Sequence, residues 1–137
     1  MAVRVKLLIK VNGKTKEVVA LVNSGYEADS PQLMIPHGVA RELGLWPPPT
    51  VSRELVYDTA GGPVKVWLIP SVAKAKVVAE DQVSSKEVLI DLVVSTYVDE
   101  PLISDALASA FEIVIEDPYR GLWRFKWEDK VRESVKK

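Results

Sequence analysis

The residues with the most chemical promise sit where an apolar run stops. Val18 to Val22 delivers the chain into Asn23-Ser24-Gly25-Tyr26: a carboxamide, a hydroxyl and then a residue with no side chain. A carboxamide has nearly the shape of a carboxylate but does not ionise near any working pH, so Asn23 cannot act as a general base. Gly25 admits a positive φ or a close backbone approach. All three are also turn formers, and a polar turn closing a strand is the plain alternative. Other reactive groups are few. The chain has no cysteine, which excludes a disulfide framework and thiolate metal sites. It has one histidine, His37, too few for a multi-histidine metal centre unless two chains meet at it.

The elements that must carry this triplet follow from periodicity. Val3, Val5, Leu7, Ile9 and Val11 alternate with Arg4, Lys6 and Lys10, with only Leu8 out of step. That is the period-2 pattern of a half-buried strand. Asn12-Gly13 is the strongest short hairpin signal, because a type I′ turn needs φ > 0 at both central residues. The return strand, Lys16 to Val22, lacks a polar interruption in its second half, so both its faces are expected to be covered. A loop with a short strand near Leu33 to Ile35 leads to a helix from Pro36 to Leu43, with Pro36 in the first turn and Gly44 as C′ residue. His37 then lies in that first turn as a solvated surface group. Trp46-Pro47-Pro48-Pro49 reads as a rigid spacer.

Ser52 to Thr59 and Val64 to Ile69 flank Ala60-Gly61-Gly62-Pro63, a hairpin with Gly61-Gly62 at its tip. Val72 to Ala79 is predicted as a further strand and 80–87 as a loop. Val88 to Val94 is an apolar strand holding one carboxylate, Asp91, which must be exposed or paired because a buried lone charge costs too much. Ser104 and Asp105 cap a short helix through Ala110. Strands over 112–116 and 122–125 follow. Glu128/Arg132 and Glu133/Lys137 at i,i+4 spacing suggest a frayed terminal helix. Seven or so strands, hairpin signals and two short helices add up to an all-β barrel with helical additions.

Taken in order, these pieces resemble the retropepsin-like aspartic protease family over residues 3–126. The family has an apolar strand, Asp-Thr/Ser-Gly, a Leu-Gly-Leu helix end, a flap hairpin and a late Leu-Ile-Gly motif before a helix. Here the counterparts are Leu21-Val22-Asn23-Ser24-Gly25, Leu43-Gly44-Leu45, Tyr57 to Val66, and Leu102-Ile103-Ser104. The resemblance implies an all-β, acid-protease barrel with one lobe per chain. It places the domain at 1–126 and leaves a charged tail at 127–137. It also implies a homodimer whose two-fold axis passes through the site, and no cofactor. By carry-over, Asn23 holds the catalytic aspartate's position, the Ser24 hydroxyl ties the two loops together, and Gly25 lets the backbone reach substrate. Tyr26 and Glu27, the flap tip Ala60, Gly61 and Gly62, and Ile103 and Ser104 of the late motif would border the ligand. An ordinary hairpin is the alternative to a flap.

The chain departs from the family at Asn23 and at Ser104, where the family has Asp and Gly. Aspartic protease chemistry needs two carboxylates about 3 Å apart sharing one proton. Asn23 removes both from a symmetric dimer, and general acid–base help is typically worth about 10²–10⁴-fold per group. Three readings follow: a non-catalytic homologue that binds extended peptides, an aspartic endopeptidase silenced by an Asp-to-Asn change at 23, or a purely structural dimer with a vestigial cleft. The second departure, Ser104, favours drift from a catalytic ancestor.

Composition narrows the partners. The 137 residues suit one domain with a real core. With 18 basic and 19 acidic residues the net charge is −1, which gives no electrostatic argument for nucleic acid or an anionic membrane. No apolar run approaches a membrane span, and the charged, alternating N-terminus is no signal peptide. A cytoplasmic location is the expectation. The four tryptophans are read as core and rim residues.

Overall fold

The computed structural model describes residues 2–137. Its described residues form ten strands and two short helices. Strand β1 (Arg4–Val11) buries Val5, Leu7, Ile9 and Val11 while its charged residues face outward, as the alternation requires. Asn12 and Gly13 take φ of 46° and 80° and turn the chain into β2 (Lys14–Val22), antiparallel to β1. Only one face of β2 is fully buried, at Val18 and Ala20, whereas Val19, Leu21 and Val22 are half-buried. This corrects the expectation of two covered faces: β2 has β1 on one side but only the two-residue β7 (Leu102–Ile103) on the other.

Strand β3 (Gln32–Pro36) feeds α1 (His37–Glu42), whose C-terminus passes through Leu43 to Gly44 at φ 76°. The His37 ring packs 5.7 Å from Trp46, and its Nδ1 is shielded from solvent with no hydrogen-bond partner among the described residues. The expected solvated histidine is therefore a half-covered one. Trp46 in turn meets Trp67 edge-on at 5.1 Å.

The hairpin of β4 (Arg53–Thr59) and β5 (Gly62–Val77) departs most from the sequence reading. The two strands expected over 64–69 and 72–79 are one 16-residue strand. Pro70 lacks an N–H and looks like a terminator. Instead the ladder shifts register between Ile69 and Ala73, with Ser71 at φ 47°, and the bulge absorbs the break. The first half of β5 carries β4. The second half pairs with β1 through Leu7↔Val77 to Lys10↔Lys74. Strand β6 (Val88–Ser95) lies along both halves.

The seven-stranded sheet has the order β1-β2-β7-β3-β6-β5-β4, and the β1–β5 pairing brings the ladder back to its first strand. Strand β4 stays outside this closed path with one edge unpaired. Two crossings are parallel, β2–β7 and β3–β6, while β3 and β7 are antiparallel. Leu102-Ile103 is thus held between the end of β2 and the start of β3.

The main core gathers Leu7, Ile9, Leu33, Ile35, Ile90, Leu92, Ile103, Leu107 and Phe111. A smaller cluster of Met34, Val66 and Val93 lies beneath the hairpin, packed by Tyr26, Leu55, Tyr57, Val64, Val98 and Leu102.

Helix α2 (Asp105–Ala110) is followed by β8 (Ile113–Asp117) and β9 (Leu122–Phe125). The tail is not a helix. Residues 132–133 form β10 (Arg132–Glu133), which pairs with β9 to complete a three-stranded sheet. Glu128 and Arg132 do pair, at 2.6 Å, but Lys137 reaches Glu100 at 3.3 Å instead of Glu133. The i,i+4 spacing is compatible with a helix, but the β9 edge at Leu122 and Trp123 offers backbone partners that a charged terminal helix lacks. The structure is mainly β, and no helix among the described residues is long and apolar enough to cross a membrane.

Candidate functional site

The end of β2 is fixed by β7. Leu21 and Val22 pair in parallel with Leu102 and Ile103, and the Asn23 N–H donates to the Ile103 carbonyl at 3.1 Å. The chain then turns on itself. Tyr26 N–H donates to the Asn23 carbonyl at 3.0 Å, and Gly25 N–H donates to Asn23 Oδ1 at 3.1 Å, closing an Asx turn. A Cβ on Gly25 would stand 3.3 Å from that same oxygen. Glycine here serves close approach and not a positive φ, and a Cβ would press on the Asn23 side chain by a few tenths of an ångström. With its oxygen committed, Asn23 keeps its amide nitrogen without a partner among the described residues.

The loop from 23 to 31 is pinned from α2. Asp105 N–H donates to the Tyr26 carbonyl at 2.9 Å, and Asp105 Oδ1 accepts from Ala28 N–H at 2.9 Å and Ala106 N–H at 2.7 Å. Ser104, fully buried, caps α2. Its Oγ accepts from Leu107 N–H and from Gln32 N–H, both at 3.1 Å. One hydroxyl thus joins the helix start to the first residue of β3.

A buried amide joins the loop to the hairpin. The hydroxyls of Tyr26 and Tyr57 both donate to Gln32 Oε1, at 2.8 and 3.0 Å, using its two lone pairs. Burial pushes both phenols above their ordinary value, and the second phenol and Asp91 push Tyr26 further the same way. They therefore remain protonated donors. Gln32 Nε2 donates to Ser30 Oγ at 3.3 Å, and Ser30 Oγ donates to Asp91 Oδ2 at 2.7 Å. Ser71 N–H satisfies Asp91 Oδ1 at 2.7 Å. The lone carboxylate of β6 is thus paired by hydrogen-bond donors, the second of the two outcomes expected for it.

Between loop and hairpin lies a cleft of about 590 Å³. Asn23, Gly25 and Tyr26 border one side, and Tyr57, Asp58, Thr59, Ala60 and Val64 of the hairpin the other. Met34, Val98 and Leu102 supply apolar floor, and Tyr97, 73% exposed, stands at the mouth. Four consecutive residues, 57 to 60, border it. Tyr57 and Val64 are opposite one another in the β4–β5 ladder and both line it, so the inner face of the hairpin near its tip meets the cleft.

Of the residues expected from sequence, Asn23, Gly25, Tyr26 and Ala60 line this cleft. Ser24 and Glu27 are exposed beside it, and the Ser24 hydroxyl has no partner among the described residues. The hairpin tip is Ala60-Gly61 and not the expected Gly61-Gly62: Gly62, at φ 105°, already opens β5 opposite Thr59. Ile103 and Ser104 are fully buried behind it as supports. Sequence reasoning gave no role to Gln32, and none individually to Tyr57, Asp58 or Tyr97. Gln32 had one available signal: it is the single polar residue opening the run Gln32-Leu33-Met34-Ile35.

A larger cavity, about 780 Å³, lies between β1, residues 78–81 and the tail. Its strongest charges neutralise one another: Arg132 is held by Glu128 and Asp81, and Lys130 by Asp81. The smaller cleft, with its unpaired amide beneath the hairpin, is the better candidate. Among the described residues no group of three or more His, Cys, Asp or Glu is placed to hold a metal ion. No family model matches the chain, and no curated protein matches it.

Proposed function

We propose that this chain is a retropepsin-like acid-protease relative, one barrel lobe per chain, that dimerises about Asn23 and binds an extended peptide without cleaving it. The observation that carries this reading is that Asn23 and the tip-side end of the β4–β5 hairpin, Tyr57 to Ala60 with Val64, border one cleft. Support for the lineage comes from the ladder that returns to β1 and from the Leu102-Ile103 strand between β2 and β3.

Binding follows from the backbone. Strand β4 has β5 on one side and, among the described residues, no strand on the other, so its outward N–H and C=O groups are available to an added strand. The polar ends of Tyr26 and Tyr57 are occupied by Gln32, which leaves an apolar, aromatic floor for a ligand side chain. The Asn23 amide nitrogen offers one hydrogen bond to a peptide carbonyl but no base to activate water. Calorimetry with extended, uncharged peptides tests the proposal. Saturable binding is expected, and no heat from any of them at millimolar concentration would remove it.

One feature supports descent from an active enzyme. The Gly25 N–H that holds Asn23 Oδ1 would hold a carboxylate oxygen equally well. Asn23→Asp should then fold unchanged and, as a dimer, cleave peptides between about pH 4 and about pH 7. A folded, dimeric, inert Asn23→Asp chain would leave only the binding role.

A further inference from the structure

The free edge of β4 carries a pattern that an added strand must match. On the outer face of the hairpin stand Glu54, Val56 and Asp58, spaced two apart. Lys65, opposite Val56 in the register, lies diagonally between the two acids. It takes Glu54, at 3.0 Å. Asp58 has Pro63 opposite it, which offers no charge, and Asp58 forms no ion pair among the described residues. It is also the only formally charged residue bordering the cleft. Val56 beside it is 66% exposed, a large apolar surface on the same face.

We infer that this edge selects a peptide strand with a cationic side chain, Lys or Arg, opposite Asp58 and an apolar side chain two residues away, opposite Val56. The inference rests on strand addition at the free β4 edge as proposed above and names the sequence class it takes. Side chains directly opposite on one face of paired strands touch. Opposite charges there are favourable and like charges unfavourable. The alkyl stem of Lys or Arg also covers the exposed Val56 while its head reaches the carboxylate. The spacing of two holds for parallel or antiparallel addition, so the pattern is apolar-x-cation read in either direction.

The test uses the full chain and four blocked, fluorescein-labelled peptides of alternating Val and Thr, identical except for Lys, Arg, Gln or Glu at one central position. Anisotropy should show the Lys and Arg peptides binding about fivefold more tightly than the Gln peptide at low salt, the scale of a solvent-accessible charge pair. The Glu peptide should bind more weakly than Gln. The preference should shrink in 1 M salt, where the screening length is about 3 Å. In Asp58→Asn the Lys-to-Gln affinity ratio should fall to about one, and in Asp58→Lys the Glu peptide should become the best ligand, with unchanged melting curves showing that both variants fold. A wild-type ratio of one, or a ratio that survives Asp58→Asn, overturns the inference while leaving peptide binding intact. Failure of all four peptides to bind removes the strand-binding reading and this inference with it.

Discussion

The Tyr57 hydroxyl donates to Gln32 Oε1 at 3.0 Å, so a residue of the outermost strand is tied to a buried amide of β3. The residues that pack beside Tyr57 beneath the hairpin, Leu55, Val64 and Val66, are apolar. Tyr57→Phe should lower unfolding free energy by about 1 kcal/mol, the net worth of one such bond. It should also speed amide exchange in β4 and the tip-side half of β5 relative to β1 and β2. Equal exchange in both regions would show that the bond does not hold the hairpin. Gln32→Leu should cost more, about 2 kcal/mol, because the Tyr26 hydroxyl is then stranded where it is half-buried.

The same two phenols predict alkaline lability. Burial raises both above the ordinary value of 10.0. Below about pH 10 they are protonated whether the chain is folded or not, and their stabilising contribution is complete. As pH rises past that value the unfolded chain loses protons that the folded chain retains, so stability falls. Urea unfolding between about pH 9 and about pH 11 should show this decline. Tyr26→Phe should flatten it, whatever it does to stability at neutral pH.

Ser104 gives a third prediction. The resemblance places glycine there, yet in this chain the hydroxyl accepts two buried N–H groups, from Gln32 and Leu107. Ser104→Gly should therefore destabilise by about 2 kcal/mol, combining a lost helix cap with an orphaned strand N–H. A neutral outcome by urea denaturation would mean that water replaces the hydroxyl at this fully buried position.

The tail provides a fourth. Arg132 is only 8% exposed, forks onto Glu128 at 2.6 and 3.0 Å, meets Asp81 at 3.0 Å, and lies over the rings of Trp123 and Phe125. Its hydrogen bond holds the Glu128 carboxyl below its ordinary 4.5. A depressed carboxylate contributes stability above that value and loses it as pH falls below. Arg132→Met should cost about 2 kcal/mol at pH 7 and should reduce the acid sensitivity of Trp fluorescence. Arg132→Lys should recover only part, because an ammonium cannot form the fork. If Lys restores the wild-type curve, the fork is irrelevant.

What the sequence determined by itself was local. Asn12-Gly13 fixed one hairpin because both residues tolerate the positive φ values that the tight turn needs. The alternation from Val3 to Val11 fixed which side of β1 is buried, and Ser104-Asp105 fixed the start of α2. Patterns of this kind are short-range, so a few adjacent residues suffice to state them.

The tertiary structure decided whatever depended on residues distant in the chain. Pro70-Ser71 reads as a break until β6 and β1 are present on either side to carry the ladder across it. Residues 128–137 read as a helix until β9 supplies an edge for Arg132 and Glu133. At the site, Asn23 could be picked out as the end of an apolar run. That Gln32 joins Tyr26 to Tyr57, and that Lys65 goes to Glu54 and leaves Asp58 unpaired, are choices among partners 6 to 25 residues apart. Only the assembled sheet brings those partners within hydrogen-bonding distance, and only there does the competition between them have an outcome.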